Sequence, residues 1–292
     1  MTDQTKLLIF GEALFDCFSS NEQVLGGAPF NIAWHLQALK DDVRFLTRVG
    51  NDELGDTIIE AMSDWGMDLS SVQIDDDHST GRVDVNIIDN EPNYTIVPNV
   101  AYDYIEEDDD LSECSGESLL YHGTLALRNK VSRQTLSELS SRPNLSVFLD
   151  VNFRDPWWSI EETHCCLNNA RWAKVNHHEL IALGYESPDM KQDMRTLRTK
   201  FGLDHLIVTR GEAGTIVCDQ YGQFHQCIPD KASFIIDTVG AGDAFTAMYI
   251  HGLALGWAIS QILPLAQQFA SQALSIRGAI SKNTEFYQSF IH

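Results

Sequence analysis

Short apolar runs separated by glycine, proline and polar turns recur along the chain, and their lengths and periods predict its elements. Lys6 to Phe10 carries four successive apolar residues and stops at Gly11, the pattern of a strand buried on both faces. A Gly26-Gly27 turn and Pro29 follow, then Ile32, Leu36 and Leu39 at helical spacing, with Pro29 suited to a first helical turn. Val43 to Val49 reads as a strand and Thr57 to Trp65 as a helix. Further strands are predicted at Val147 to Val151, Ala173 to Asn176, Leu206 to Thr209 and Thr215 to Cys218. Phe234 to Ile236 leads into a glycine turn and helices from Asp243 onward. Strands alternating with helices predict an α/β fold with a mostly parallel sheet, helix-covered on both faces.

One stretch departs from this rhythm. From Arg82 to Ile87, Val83, Val85 and Ile87 alternate with Arg82, Asp84 and Asn86, the period of a sheet with one wet face. Tyr94 to Val97 is its expected partner strand. The whole chain, 1–292, is therefore read as one α/β domain. A small β lid is inserted at about 80–100, and residues 17–25 are a further candidate strand for it.

Composition narrows the classes of function. The chain has 292 residues, 43% hydrophobic and 21% charged, ordinary for a globular protein. Its net charge of −22 opposes phosphate backbones and anionic lipid surfaces, so neither nucleic acid nor membrane is expected as a partner. The N-terminal apolar run is too short for a signal peptide, and Ala244 to Ala266 is broken by His251, Gly252, Gly256, Ser260, Gln261 and Pro264, which suits buried helices. The six cysteines form no Cys-x-x-Cys pair, and a cytoplasmic location is the expectation. The acidic run Glu106 to Asp110 lacks the ligand spacing of a calcium loop and reads as a solvated loop or helix start. His164-Cys165-Cys166 and His177-His178 lack the spacing of a zinc site.

The sharpest chemical feature is Asp237-Thr238-Val239-Gly240-Ala241-Gly242-Asp243-Ala244-Phe245. Two glycines flanking an alanine let the backbone turn and expose successive N–H groups. With a helix starting at Asp243, these would meet at the positive end of its dipole, as an anion cradle. An acid at the lip of such a cradle repels phosphate, but it suits a base holding a hydroxyl nucleophile beside a phosphoryl group. A plain glycine turn capped by Asp243 is the alternative reading of the same residues. A dinucleotide fingerprint does not fit, because Phe245 stands at the third glycine position and no acid occurs between Ala244 and Thr284. Gly50-x-x-x-x-Gly55 is followed by Asp56-Thr57, so the nucleotide P-loop is absent as well.

Asp237 to Phe245 resembles the C-terminal signature of the PfkB, or ribokinase, family of carbohydrate kinases, and Gly26-Gly-Ala-Pro-Phe-Asn31-Ile-Ala33 resembles its N-terminal signature. Val49-Gly-Asn-Asp-Glu-Leu-Gly55, Asp150-Val-Asn152-Phe-Arg154, Lys174-Val-Asn176-His-His-Glu179 and Thr209-Arg-Gly211 fall in the family's order, so the resemblance spans nearly the whole chain. Gly11-Glu-Ala-Leu-Phe-Asp16, Gly-Gly-Ala-Pro and Asp-x-Asn-x-Arg look most like the fructokinase branch.

The resemblance implies a ribokinase-like fold and ATP-dependent phosphorylation of a primary hydroxyl on a free sugar, with fructose the first choice. It gives Asp243 the role of base and the amides of Gly240, Ala241 and Gly242 that of anion hole. Asp16, placed at the end of the first strand, Gly26, Gly27, Asn31 and Arg154 would line the sugar pocket. Asn176, Thr209 and Gly211 would face the nucleotide, and Glu179 would meet Mg²⁺ through water. Asp237, Val239 and Gly278 match a K⁺ site used by many members. Trp157 and Trp158 are expected to pack, not to stack on the base. Many relatives dimerise through the lid, so a homodimer is a further expectation. The alternatives are 2-keto-3-deoxygluconate kinase, a riboside or nucleoside kinase, and, outside enzymes, a non-catalytic sugar sensor.

Overall fold

The computed structural model describes residues 5–20, 22–88, 91–107, 117–229 and 235–291. Thirteen strands run in chain order through them. They are β1 (Lys6–Phe10), β2 (Leu14–Phe18), β3 (Gln23–Gly26), β4 (Asp42–Gly50), β5 (Val72–Asp75), β6 (Gly81–Ile88), β7 (Glu91–Ile96), β8 (Ser118–His122), β9 (Leu145–Asp150), β10 (Trp172–Asn176), β11 (His205–Thr209), β12 (Thr215–Cys218) and β13 (Phe224–Cys227). The helices are α1 (Ala28–Ala38), α2 (Glu53–Asp64), α3 (Lys130–Ser140), α4 (Ile160–Asn169), α5 (His177–Ala182), α6 (Met190–Phe201), α7 (Ala241–Ala254) and α8 (Ile259–Ala273).

Nine strands form one sheet in the order β13-β12-β11-β10-β9-β8-β1-β4-β5. It is parallel from β11 to β5, and β12 and β13 add an antiparallel edge. Successive residues of each parallel strand point to opposite faces, and both faces are covered. Leu7 and Ile9 of β1 pack in one core with α1, α2, α7 and α8. Leu8 and Phe10 face a second core with Leu136 and Leu139 of α3, while Val175 and Val208 meet α4, α5 and α6 in a third. Burial on both faces is why these strands read as unbroken apolar runs.

The alternating segment forms a separate four-stranded sheet, β3-β2-β6-β7. Val83 and Val85 are buried on its inner face, while Arg82 and Asn86 are exposed. The candidate strand at 17–25 is a hairpin instead, β2 pairing antiparallel with β3 and parallel with β6. Asp16 consequently lies within β2, not at the end of β1. Gly11 ends β1 with a φ of +144°, and a side chain there would come within 2.5 Å of Pro29 Cγ.

Other boundaries move for local reasons. Asp52 accepts from the Gly55 N–H and starts α2 four residues earlier than Thr57. Helix α7 begins at Ala241, two residues before Asp243, with Gly240 as its cap. Ile235 and Ile236 are exposed and belong to no strand, and Phe234 lies outside the described residues, as do Cys114 and 108–110 of the acidic run. Among the described residues no helix is long and apolar enough to cross a membrane.

Candidate active site

The carboxyl ends of the parallel strands open on one side of the sheet, the position where open α/β sheets hold ligands. Helix α7 enters there through a left-handed Gly240 (φ +79°), whose missing side chain lets the turn press on Ala279: a Cβ would lie 2.4 Å from its Cα. The Gly240 carbonyl takes the Ala244 N–H as the first helical bond, leaving the N–H groups of Ala241 to Asp243 without helical partners. Asp243 sits in this first turn, and Asn31 of α1 donates from Nδ2 to its Oδ2 at 2.8 Å. The side chain keeps some contact with solvent but is crowded by protein on most sides. This desolvation raises its pKa to about 6. The Asn31 bond opposes the shift, Asp150 adds to it, and Lys174 and Arg154 also oppose it.

Beneath the turn lies a buried ion pair. Lys174 of β10 and Asp150 of β9 are register partners on adjacent strands, so their side chains share a face, and Nζ meets Oδ2 at 2.6 Å. Thr246 of α7 donates to the same oxygen at 2.9 Å. Lys174 Nζ is 3.8 Å from where a Gly242 side chain would begin. Burial alone would lower the lysine pKa, but Asp150, Glu179 and Asp243 more than offset this and hold it raised.

Of the residues expected to hold the sugar, Asp16 comes from β2, Gly26 from β3 and Gly27 from the turn into α1. Asp16 Oδ2 would be 3.7 Å from a Cβ on Gly26, and Gly27 caps α1 with a φ of +105°. Burial raises the Asp16 pKa against the pull of Arg154. Arg154 itself is exposed, bonds only the Phe153 carbonyl and makes no salt bridge among the described residues; its charge acts on Glu12, Asp16 and Asp243. Trp157 packs near the Arg128 guanidinium, and Trp158 stacks on Phe153 at 3.8 Å.

Asn176 and Thr209, expected to face the nucleotide, are register partners at the ends of β10 and β11, and Gly211 turns the next segment with a φ of +56°. Asn176 and Glu179 are held by each other. Asn176 Oδ1 accepts from the Glu179 N–H, while Glu179 accepts from the N–H groups of Asn176 and Phe153. This capping box starts α5 and keeps Glu179 6% exposed. Asp237 joins two loops, its oxygens accepting from the Val239 and Gly278 N–H groups at 3.0 Å each. No cluster of three or more metal-ligating side chains of the His, Cys, Asp and Glu types occurs among the described residues.

The structure thus brings Asn31, Asp243 and the Gly240–Gly242 turn together, and sets Asp237, Val239 and Gly278 side by side. Sequence reasoning missed the Lys174–Asp150 pair and Glu12, although a lysine and acids inside otherwise apolar, two-sided strands or at their ends were visible. The Gly50 and Gly55 pair serves packing, since side chains there would strike Thr80 N and Gly50 O.

A family model for pfkB family carbohydrate kinases matches residues 6–285. The chain belongs to the PfkB family. It is thus a carbohydrate kinase, a phosphotransferase acting on a sugar. A fructokinase of Salmonella typhimurium is 28% identical over 295 residues, covering 94% of this chain and 95% of that protein. A 5-dehydro-2-deoxygluconokinase of Geobacillus thermodenitrificans is 29% identical, covering 86% and 77% respectively. Among solved structures, a fructokinase double mutant of Vibrio cholerae O395 in its fructose, ADP and potassium ion bound form matches with a TM-score of 0.84. It is 22% identical and covers all of both chains. That likeness supports the fold of this PfkB kinase, a large, mostly parallel sheet with a small separate one.

Proposed function

We propose that this PfkB kinase transfers the γ-phosphoryl group of ATP to a primary hydroxyl of fructose, with Asp243 as the base. The observation that carries the mechanism is the pairing of Asp243 with the free N–H groups at the start of α7, the carboxylate oriented by Asn31. The sugar hydroxyl donates to Asp243, which takes or orients its proton as the phosphoryl group moves in line. The amides of Ala241 and Gly242, at the positive end of the α7 dipole, meet the charge on the transferring oxygens. Lys174 lies just beneath, and its charge partly offsets the cost of gathering Asp150, Asp243 and phosphate in one place. Asp16, Gly26, Gly27 and Arg154 hold the sugar, and the four-stranded sheet acts as the lid that excludes water.

Asn176, Thr209 and Gly211 face the nucleotide in this reading. Mg²⁺, bound with ATP, spreads the triphosphate charge. Each Glu179 oxygen accepts one backbone N–H and keeps capacity for a second donor, which suits contact through the ion's waters. The Asp237 carboxylate and the neighbouring Val239 and Gly278 carbonyls are hard oxygen donors of the kind K⁺ takes. Fructose as substrate is supported by the fructokinase relative aligned along nearly the whole chain.

The test is coupled ADP release with Mg-ATP against fructose, ribose, glucose, mannose, 2-keto-3-deoxygluconate and a nucleoside, with and without K⁺. Fastest turnover on fructose is expected, with K⁺ raising it. Turnover confined to another compound would refute the substrate and keep the kinase mechanism. ATP binding without ADP release on any of them would favour a sugar sensor.

A further inference from the structure

Glu12 follows the Gly11 break at the end of β1, and its side chain is 4% exposed. Its Oε2 is fully buried with no hydrogen-bond partner among the described residues. A buried carboxylate oxygen without a partner carries a large desolvation cost, so its retention calls for a physical reason. The Gly27 turn, which the proposed function places against the sugar, packs directly on this residue. A Cβ on Gly27 would lie 2.6 Å from the Glu12 carbonyl oxygen and 3.3 Å from its Cγ.

Other buried groups also lack partners. The hydroxyls of Tyr102 and Tyr121, Asn31 Oδ1 and Arg128 Nη1 are buried and without partners among the described residues. Glu12 acts electrostatically on both tyrosines, and Arg154, Asp243 and Arg128 act on Glu12. Arg128 is nevertheless committed elsewhere, paired with Asp103 and bonded to the Val97 carbonyl. Neither arginine forms a salt bridge with Glu12 among the described residues. Together these side chains carry two acceptors, two hydroxyls and one donor that lack partners among the described residues. A ligand carrying several hydroxyls, each both donor and acceptor, satisfies such a set. Burial raises the Glu12 pKa to about 7, so above that pH a ligand carboxylate would meet Glu12 as a like charge.

We propose that Glu12 is a specificity-determining residue that accepts a hydroxyl hydrogen bond from the substrate and selects neutral polyhydroxy sugars against sugar acids. This rests on the sugar-kinase reading of the Asp243 site and sharpens its substrate class. One relative is named for an acid substrate, so the distinction divides chemistries found among proteins similar to this one.

The test is steady-state kinetics with Mg-ATP on the wild type, Glu12→Gln and Glu12→Ala. The substrates are fructose and 2-keto-3-deoxygluconate, and melting temperature is followed in parallel. The amide of Glu12→Gln preserves shape and removes the charge. It is expected to raise the fructose KM at least 10-fold while moving kcat and the ATP KM less than 3-fold. The ratio of kcat/KM for acid over neutral sugar should rise at least 10-fold. Glu12→Ala should show the same selectivity change whether or not it lowers the melting temperature. An unchanged fructose KM in Glu12→Gln, or equal shifts in the sugar and ATP KM values, overturns the inference and leaves the kinase reading standing. A wild type that favours the acid overturns it too. A wild type that binds ATP but turns over neither sugar overturns the substrate reading on which it rests.

Discussion

Replacing Asp243 by Asn separates the cost of the proposed base from its use. The carboxyl is raised from 3.8 to about 6, first by desolvation, so keeping it ionised at neutral pH works against folding. The shift of about 2 units corresponds to ~3 kcal/mol at most, and partial contact with solvent reduces this to ~1–2 kcal/mol. The sign follows from linkage. A carboxyl with a raised folded-state pKa contributes its stability in full below about pH 4, and that contribution is lost as the pH rises through 6. Asn never loses it, and its side-chain oxygen can still accept from Asn31 Nδ2. Asp243→Asn should therefore equal the wild type near pH 3.5 and gain progressively to pH 7. Above that it should remain more stable, by a melting shift of roughly 2–3 °C for a chain of this size. The same change should lower turnover at least 100-fold with the ATP dissociation constant within about 3-fold. Wild-type kcat/KM should fall about tenfold per pH unit below 6, as the base takes its proton. Thermal melting across pH, ATP titration and ADP-coupled rates check all three. Near-wild-type turnover, or a variant less stable than the wild type at pH 8, would refute the reasoning.

Gly240→Ala should destabilise by about 2–4 kcal/mol and suppress activity, because a left-handed residue gains a Cβ that strikes Ala279. Gly202→Ala has a similar φ of +67° but open space around it and should cost only about 1 kcal/mol; equal effects in urea melts would contradict the steric argument. Arg128→Met leaves Asp103, 2% exposed, without its bidentate partner, and should cost about 3–5 kcal/mol, part of it recovered by adding Asp103→Asn. Burial lowers the pKa of His122 to about 4, so its contribution is complete above 6.5 and fades as the pH falls towards 4. A loss of about 2 kcal/mol by pH 5 is expected from this group, and His122→Gln should remove that part of the pH slope in urea unfolding.

How much of this was legible in the sequence depended on whether the determining interaction was local. Strands buried on both faces announce themselves as apolar runs, and β1, β4, β9, β10 and β11 were found within two residues of their ends. Helices α3, α4 and α6 were not marked, because their surfaces are mostly polar and only a few positions, such as Leu136, Leu167 and Leu197, reach the core. Of the site, the Gly240–Asp243 turn was readable because glycine spacing encodes backbone shape. Asn31 was expected as a sugar ligand, yet its Nδ2 is engaged by Asp243, 212 residues away, a pairing that no local pattern carries. Glu179 shows the reverse case. The family resemblance places Asn176 and Glu179 beside the nucleotide, and the same Asn-x-x-Glu spacing closes a capping box.

The same distinction explains how a chain of net charge −22 can serve an anionic cosubstrate. Long-range repulsion is screened over about 8 Å in physiological salt, whereas dipoles and charges within a turn or two of the phosphate act almost undiminished. The crevice collects Glu12, Asp16, Asp150, Glu179 and Asp243 against the nearby charges of Lys174, Arg128 and Arg154. Four of these acids, Glu12, Asp16, Glu179 and Asp243, are raised by burial, and all but Glu179 sit on the proposed sugar side. Lys174 and the open end of α7 lie instead where the phosphoryl group would pass. The polarity of the site thus runs from acceptors at the hydroxyl to donors at the phosphate, the direction in which a proton and a phosphoryl group must exchange places.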